Sequence, residues 1–167
     1  MAARANGNIF SKEFGEAFAE EFLSISKNEE GYLFPDTYLV GTDVTPQGLV
    51  DLMKVTFSEK VGPEIEANLK EVGLTEKQLL IFASILEREI ARPEDRKIVA
   101  GILLKRWRNG WLLGADATVQ YAWASENCSS LSEDCNWWPH IITQQMLEID
   151  SVHNTRKFLG LPPTPIA

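Results

Sequence analysis

Apolar residues recur at helical spacing through most of the chain. Between Ser11 and Lys27 they lie three or four positions apart among acidic residues, which predicts an amphipathic helix with one buried face. A second helix is predicted to begin after Thr45 and to run to about Lys60, because a threonine followed by proline is a helix-start signal. The apolar stripe of the first helix consists of Phe14, Phe18, Phe22 and Ile25.

More helices are predicted along the rest of the chain from the same spacing and from signals at their ends. Gly73 ends the third helix, since glycine adopts the left-handed conformation of a helix C-terminus without steric cost. Thr75 and Gln78 form a capping box in front of the most apolar helix of the chain. Asp116 is well placed to cap a later helix. The predicted ranges are 63–72, 79–90, 93–108, 116–123 and 142–149.

Two segments are not expected to be helical. Residues 30–40 carry three aromatic side chains around a Pro-Asp turn signal, and they are predicted to form an extended loop or a short strand. Residues 160–165 contain three prolines, which exclude a helix, and they are predicted to be extended. The whole pattern predicts an α+β fold that is predominantly helical, with a small β or extended portion.

The size of the chain bounds its domain organisation. A length of 167 residues with 44% hydrophobic residues favours one domain with a real core, and it leaves room for a second small lobe. We expect one compact unit at residues 11–167, preceded by a flexible lead-in at residues 1–10. That lead-in lacks the apolar stretch of a signal peptide, so any export signal is expected outside this sequence.

The charge balance excludes two classes of partner. The formal net charge is −8, from 24 acidic and 16 basic residues. Because the basic residues are scattered, no positive stripe is available for phosphates, and we expect no nucleic acid partner. An acidic chain gains no attraction to an anionic membrane surface, and no apolar run approaches the roughly 18 to 20 residues of a spanning helix.

Cys128 and Cys135 are the cysteines of the chain, and they lie seven positions apart in a polar stretch. A closed zinc site is disfavoured, because it requires four nitrogen or sulfur ligands and no histidine is near. A disulfide that closes the loop fits an extracytoplasmic protein, and two free thiols are the alternative.

The predicted helix at 79–90 contains two glutamates near its end, Glu87 and Glu89. A buried helix ordinarily excludes glutamate, since an ionised carboxylate loses hydration there unless it is paired. Side chains two positions apart diverge by roughly 200°, so the two carboxylates cannot both reach one substrate atom. Glu89 falls between Ile85 and Phe82, where an apolar setting would favour the protonated form that a general acid requires. The alternative is that both glutamates are surface charges or form pairs with nearby arginines.

Five blocks of the sequence, in order, carry a resemblance to a known family. Residues 83–89 read Ala-Ser-Ile-Leu-Glu-Arg-Glu, and residues 30–38 read Glu-Gly-Tyr-Leu-Phe-Pro-Asp-Thr-Tyr. The other blocks lie within residues 95–106, 116–121 and 154–166. Together they resemble the YceG-like or MltG endolytic murein transglycosylases, and the resemblance covers residues 30–166.

The resemblance implies a reaction and a set of residues. The reaction is cleavage of the β-1,4 bond between N-acetylmuramic acid and N-acetylglucosamine within glycan strands, which leaves 1,6-anhydromuramoyl ends and needs no metal or other cofactor. By resemblance Glu89 is the catalytic acid and base, and Glu87 is a supporting catalytic residue. The matching positions implied as substrate contacts are Tyr32, Phe34, Asp36, Tyr38, Asp116, Thr118, Gln120, Tyr121, Asn154 and Thr155.

The resemblance also implies partners and a location. The expected partners are peptidoglycan glycan strands and cell-wall synthases, and the expected location is the bacterial cell envelope at the outer face of the cytoplasmic membrane. We expect the sequence to be a fragment of the catalytic domain, with the membrane anchor, a LysM-like lobe and the C-terminal end of the domain outside it.

The chain departs from the family pattern at three places. The family has Asp-Pro-Thr where this chain has Asp-Ala-Thr at 116–118, Tyr-Asn-Thr-Tyr where 153–156 read His-Asn-Thr-Arg, and Pro-Pro-Gly where 162–164 read Pro-Pro-Thr. Two other hypotheses therefore stay open. One is a hydrolysing muramidase in which Asp116 or Asp150 positions a water, and the other is a catalytically silent glycan-binding or scaffolding module. Trp137 and Trp138, adjacent beside the polar loop, are expected to rim the groove.

Overall fold

The computed structural model describes residues 13–90, 92–128 and 135–166. The predicted lead-in at residues 1–10 lies outside these ranges. The regular elements formed by the described residues are helices: α1 (Glu16–Ser26), α2 (Pro46–Lys60), α3 (Gly62–Val72), α4 (Glu76–Glu89), α5 (Arg96–Arg108), which follows a 3₁₀ turn at Pro93–Asp95, α6 (Asp116–Asn127) and α7 (Gln144–Leu147).

The chain divides into two compact units, where its length suggested one. The first unit extends to Glu76 and contains α1, α2 and α3, and the second unit is Lys77–Ile166. Each unit has buried apolar side chains of its own. The apolar residues of the chain are therefore divided between the cores of two units. Composition gives their number but not this division.

The core of the first unit lies where α1 packs on α2. Phe22 of α1 and Met53 of α2 are almost completely buried, together with Leu33 from the connection between the helices. The Thr45 side chain accepts a hydrogen bond from the Gly48 N–H at 3.1 Å, which confirms the predicted N-cap of α2. The first unit thus follows from its local signals.

Two further helix ends in this unit are set by glycines. Gly73 has a φ of 68° and ends α3, as predicted. Gly15 has a φ of 91°, which an α-helix cannot accommodate, so the helical pattern is interrupted there: Glu13 and Phe14 are helical, and α1 begins at Glu16. Ser11 itself lies outside the described residues.

The predicted β portion is wrong for the part of the chain that the structure describes, where no strand occurs. Residues 34–41 form a loop without regular secondary structure, as one of the two predicted forms allowed. Their polar groups find other partners: the Phe34 N–H donates to the Met53 carbonyl of α2 at 3.4 Å. The Tyr38 hydroxyl donates to the Phe34 carbonyl at 2.6 Å. The segment is an extended loop held by a helix and by its own side chain.

The buried residues of the second unit come mainly from α4 and α6. Ile81, Phe82 and Ile85 of α4 are at most 3% exposed, and Val119 and Ala122 of α6 are fully buried. The most apolar predicted helix therefore contributes to a core. The edge of the Phe82 ring also contacts Trp107 of α5, with ring centroids 5.7 Å apart.

The C-terminal segment is not helical, as its prolines predicted, and it bends at Pro163 and Thr164. Pro162, Pro165 and Ile166 are nevertheless almost completely buried. The Ile166 N–H donates to the Ser84 hydroxyl at 2.9 Å, so the segment is tied to the middle of α4. This contact brings the end of the described chain back to the helix that carries the two glutamates.

Helix α7 is shorter than the predicted range of 142–149. It covers Gln144–Leu147, with the Thr143 side chain as its N-cap. The side-chain amide of Asn154 donates to the carbonyls of Leu147 and Ile149 at 3.0 and 3.1 Å. Because these carbonyls have a partner in Asn154, no further helical turn is required to satisfy them.

No helix among the described residues is both long enough and apolar enough to cross a membrane.

Candidate active site

The two glutamates of α4 lie on different sides of the helix. Glu89 is four residues after the buried Ile85, so it stands one turn further along the same side. Glu87 is two residues after Ile85 and points away from that side, and its side chain is exposed. The divergence predicted from the sequence is thus retained in the structure.

The environment of Glu89 differs from the prediction. We expected an apolar, buried setting between Phe82 and Ile85, and that expectation is wrong, because the side chain of Glu89 is exposed. A side chain on the apolar face of a helix is buried only where other elements of the protein cover that face. Glu89 is the last residue of α4. In place of apolar contact the carboxylate has a polar partner: Oε1 accepts a hydrogen bond from the Ala117 N–H at 2.8 Å.

Ala117 lies in the first turn of α6, where backbone N–H groups have no acceptor within the helix. The partial positive charge of a helix N-terminus also favours a neighbouring carboxylate. The sequence predicted that Asp116 would cap this helix, and that is wrong. The N-cap residue is Ala115, which provides no side-chain acceptor. Glu89, a residue 28 positions away along the chain, accepts from one of the free N–H groups of this first turn.

The Asp116 side chain pairs with Arg156. The Arg156 Nε donates to Asp116 Oδ1 at 2.7 Å, and the Nη2 group of the same arginine contacts the same oxygen. Both side chains are about half exposed, at 44% for Arg156 and 52% for Asp116. Since Asp116 directly precedes Ala117, this ion pair stands beside the hydrogen bond of Glu89. The YceG-like family pattern given above has tyrosine at position 156, and Arg156 was not among the predicted substrate contacts.

Three predicted substrate contacts are buried. Thr118 and Thr155 have hydroxyl oxygens 2.8 Å apart and are at most 2% exposed. Asn154 is fully buried, and its amide is engaged with α7. The contact between Thr118 and Thr155 joins the first turn of α6 to the segment 154–156, whereas the Asn154 side chain bonds to the carbonyls of Leu147 and Ile149. A role in contacting sugar stays a prediction for them, while their observed contacts are within the protein.

Gln120 and Tyr121, further along α6, contact the segment that carries the tryptophan pair. The Gln120 amide donates to the Pro139 carbonyl at 2.7 Å. Tyr121 is buried, and its ring contacts Trp137 and Trp138 at centroid distances of 6.1 and 6.4 Å. The tryptophans are half-buried, as expected for side chains at a rim.

The loop that precedes the tryptophans is closed by a disulfide between Cys128 and Cys135, whose Cα atoms are 5.6 Å apart. This confirms the disulfide interpretation over free thiols. Beyond it, the guanidinium carbon of Arg88 lies 3.8 Å from the centroid of the Trp138 ring. Arg88 directly precedes Glu89, so the end of α4 is contacted by α6 at Ala117 and by the tryptophan pair at Arg88.

The four predicted contacts at residues 30–38 belong to the first unit. Tyr32 packs edge-on against Phe57 with centroids 5.5 Å apart. Burial raises the pKa of the Tyr32 phenol, and the carboxylates of Glu76 and Glu29 raise it further, so this hydroxyl stays neutral. Tyr38 donates to the Phe34 carbonyl. These aromatics are partly engaged in packing.

Asp36 and Lys60 form an exposed ion pair in the first unit, with 2.6 Å between Oδ2 and Nζ. The hydrogen bond from Lys60 lowers the pKa of Asp36, and the Thr37 N–H adds to this effect. The same hydrogen bond raises the pKa of Lys60. The Lys60 ammonium also lies 5.2 Å from the centroid of the Phe34 ring.

No group of three or more histidine, cysteine, aspartate or glutamate side chains that could hold a metal ion occurs within residues 13–90, 92–128 and 135–166. Glu89 provides an exposed carboxylate with one oxygen held by a backbone N–H.

Comparison with known proteins identifies relatives over most of the chain. A sequence model of the YceG-like family matches residues 2–167. An endolytic murein transglycosylase of Streptococcus pneumoniae serotype 2 is 35% identical over 138 residues, which are 82% of this chain and 23% of that protein. A Bacillus subtilis protein of the same name is 30% identical over 164 residues, which are 96% of this chain and 42% of that protein.

The fold has a relative among solved structures. A YceG-like protein of Listeria monocytogenes has a TM-score of 0.67 and 26% sequence identity, covering 96% of this chain and 53% of that chain. The sequence described here thus spans 23% to 53% of the length of these relatives.

Proposed function

Because the chain belongs to the YceG-like family, we propose that it carries the acid/base centre of an endolytic murein transglycosylase, with Glu89 as the catalytic residue. Two relatives bear that name. The substrate is then the glycan strand of peptidoglycan, and the place of action is the bacterial cell envelope. Cell-wall synthases are the partners that such an activity would serve, since they produce the strands that it cuts.

The proposed reaction needs one carboxyl group that acts twice. Protonated Glu89 donates its proton to the glycosidic oxygen between N-acetylmuramic acid and N-acetylglucosamine. The C1–O4 bond breaks, and its electron pair leaves with the oxygen of the departing sugar. The Glu89 carboxylate then removes the proton from the C6 hydroxyl, whose oxygen bonds to C1 and closes the 1,6-anhydro ring. Glu89 ends protonated, as it began, and no water is consumed.

The observation that carries this proposal is the combination of solvent exposure and a single hydrogen bond at the Glu89 carboxylate. It is exposed to solvent, yet its Oε1 is held by the Ala117 N–H at 2.8 Å. The second oxygen, Oε2, is then available for a proton that moves to and from a substrate. Glu87 diverges from this position, so we assign it a supporting role on the same helix.

The muramidase alternative would need a second carboxylate that is able to hold a water. The two candidates are both ion-paired, Asp116 with Arg156 and Asp150 with Lys157 at 2.9 Å. Each pair engages Oδ1 of the carboxylate, and the mass of the digestion products separates the two mechanisms. In the single-carboxylate mechanism Asp116, Gln120 and the residues around them help to bind the strand.

The test is digestion of uncrosslinked glycan strands, followed by mass spectrometry of the products. We expect 1,6-anhydromuramoyl ends from the unaltered protein and none above background from Glu89→Gln. Glu94→Gln, which removes an exposed carboxylate from the turn before α5, is the matched control and should retain activity. Glu87→Gln should lose less activity than Glu89→Gln.

Each other outcome identifies a different function. Products that carry one added water would indicate a muramidase. Binding of the glycan without cleavage at any pH would indicate a scaffolding module. Full activity of Glu89→Gln would remove Glu89 from the mechanism.

A further inference from the structure

Residues 153–156 depart from the family pattern at two of their four positions. The family has tyrosine at both places, and this chain has His153 and Arg156. His153 contacts Thr164, another position of departure, with 3.1 Å between Nε2 and the threonine hydroxyl. Arg156 instead contacts Asp116, at which this chain and the family pattern agree. The arginine is therefore a cation that this chain adds beside a residue that the family shares.

The position of Arg156 is fixed by buried neighbours. Asn154 is fully buried, and Thr155 is 2% exposed. The Arg156 N–H donates to Asn154 Oδ1 at 3.1 Å, and the Thr155 N–H donates to Thr118 Oγ1 at 3.3 Å. The guanidinium at the other end of the side chain is held by Asp116. A cation that is restrained at both ends loses little conformational freedom when it binds a ligand.

One edge of the guanidinium remains for a ligand. Within the described part of the chain, the contacts of this group go to Asp116 Oδ1, and they use Nε and Nη2. The end edge of the planar group, formed by Nη1 and Nη2, has N–H groups in the geometry that matches the two oxygens of a carboxylate. The Arg156 side chain is 44% exposed, so this edge is accessible from solvent.

The arginine stands close to the proposed catalytic carboxylate. Asp116, which holds Arg156, is followed in the sequence by Ala117, whose N–H donates to Glu89 Oε1 at 2.8 Å. Arg156 and Glu89 therefore contact adjacent residues in the first turn of α6. In the proposed reaction the sugar that is cleaved at C1 is N-acetylmuramic acid, and its lactyl group is attached at O3 of the same ring. The lactyl group and its substituents must consequently lie near the start of α6.

We propose that Arg156 is a substrate-specificity residue that binds a carboxylate carried by the muramic acid at the cleaved bond. This inference rests on the proposed function. The carboxylate belongs to the peptide stem on the lactyl group or, in a strand without stems, to the lactyl group itself. The sugar rings and their N-acetyl groups are neutral. A tyrosine at position 156 would therefore meet an uncharged sugar, whereas an arginine selects the charged substituent.

Electrostatic repulsion gives a second reason for a cation at this place. A ligand carboxylate near Glu89 and Asp116 is repelled by the negative charges of these side chains. Arg156 offsets this repulsion, because its guanidinium lies against Asp116 and presents its other edge to the ligand. Loss of Arg156 should therefore raise KM for strands that carry the carboxylate and leave KM for neutral strands nearly unchanged.

The test varies the substrate and the protein together. Uncrosslinked strands with peptide stems form one set, and strands from which an amidase has removed the stems form the other. All amines are first acetylated. Half of each set is then treated so that its carboxylates become neutral methylamides, and KM is measured for the four preparations. A difference within the first set assigns the bound carboxylate to the stem, and a difference within the second set alone assigns it to the lactyl group.

The expected result is a preference that depends on Arg156. For the unaltered protein, amidation should raise KM by about three- to tenfold in the set that carries the bound carboxylate, the range for a charge-assisted contact that is partly exposed. For Arg156→Gln, KM for the untreated strands should rise to the value for amidated strands. Since KM does not depend on the folded fraction, a loss of stability in the variant would not produce this result.

Further variants separate the charge from the shape of the side chain. Arg156→Lys keeps the charge without the planar edge, so it should retain part of the preference. Arg156→Tyr, which places the family residue here, should cleave untreated and amidated strands with equal KM. Lys157→Gln is the matched control, because it removes the neighbouring exposed cation and its ion pair with Asp150. It should keep the full preference of the unaltered protein.

The inference and the proposed function fail separately. Binding of the four preparations to Glu89→Gln, measured by calorimetry, does not require cleavage. A preference for untreated strands that is lost in the Glu89→Gln/Arg156→Gln double variant supports the inference even if the unaltered protein cleaves no glycan. Equal KM before and after amidation in both sets would overturn the inference and leave the proposed function intact. A preference that persists in Arg156→Gln would also overturn it.

Discussion

The guanidinium of Arg88 lies over the ring of Trp138, with 3.8 Å between its central carbon and the ring centroid. Arg88 is the neighbour of Glu89 in the sequence, and Trp138 follows the disulfide-closed loop after α6. The contact therefore connects the last turn of α4 to a covalently constrained segment. The Glu89 carboxylate accepts a hydrogen bond from the Ala117 N–H of α6. Arg88 and Glu89, the last two residues of α4, therefore both have partners outside that helix.

The first prediction concerns this contact. Arg88→Gln and Trp138→Leu should each destabilise the protein by about 0.5 to 1 kcal/mol, the usual range for a cation–π contact that is partly exposed. Because both changes remove the same contact, the double variant should lose less than the sum. Chemical denaturation of the four proteins measures the coupling.

A control and a second readout complete that experiment. Arg92→Gln removes an exposed arginine nearby and should leave stability unchanged. In glycan digestion both single variants should lose activity, since the end of α4 becomes less restrained. Additive effects in the double variant would show that the contact contributes nothing.

The second prediction concerns the disulfide between Cys128 and Cys135. Closing a short loop restricts the unfolded chain, and a loop of this size should contribute about 2 kcal/mol to stability. Reductant should lower the melting temperature of the unaltered protein. The Cys128→Ser/Cys135→Ser double variant should have the lower value from the start, with no further response to reductant. A melting temperature that reductant does not change in the unaltered protein would contradict the prediction.

The sequence predicted those parts of the fold that depend on neighbouring residues. Thr45 caps α2 and Gly73 ends α3, because each signal acts within one helical turn. The divergence of Glu87 and Glu89 followed from helical geometry alone. The β portion was wrong because a strand requires a partner, and the pattern of residues 30–40 contains no information about one.

The candidate site was predicted less completely, because its contacts join distant residues. The donor to Glu89 is a backbone N–H, which every residue except proline has, and the resemblance marked position 117 only as a departure, with alanine in place of the family's proline. Asn154 is predicted to bind sugar, and the observed partners of its amide are the carbonyls of Leu147, at the end of α7, and of Ile149. Its place in the family resemblance is equally consistent with a structural role, which only coordinates can show.

The third prediction separates binding from stability at Asp116. Its ion pair with Arg156 is about half exposed, so Asp116→Asn and Arg156→Gln should each change stability by less than about 1 kcal/mol. If Asp116 contacts the glycan, as its place beside Ala117 suggests, Asp116→Asn should raise KM several-fold with a smaller change in kcat. Lys157→Gln, which breaks the other ion pair of this unit, is the control and should leave KM unchanged. An unchanged KM in Asp116→Asn would remove this residue from substrate binding.

The last prediction uses the ion pair of Asp36 and Lys60 in the first unit. The pKa of Asp36 is lowered by the hydrogen bond from Lys60, so its contribution to stability is complete above its ordinary pKa of 3.8 and is lost as pH falls through the lowered value. The pKa of Lys60 is raised, so its contribution is complete below its ordinary pKa of 10.5 and is lost as pH rises through the raised value. Lys60→Met should therefore be less stable than the unaltered protein at neutral pH, and the difference should shrink as pH falls from 3.8 through the lowered pKa of Asp36. Denaturation curves at pH 7 and pH 3 measure this, and high salt should reduce the difference at pH 7 because the pair is exposed. A difference that is the same at both pH values would show that Lys60 acts through its contact with Phe34 and not through Asp36.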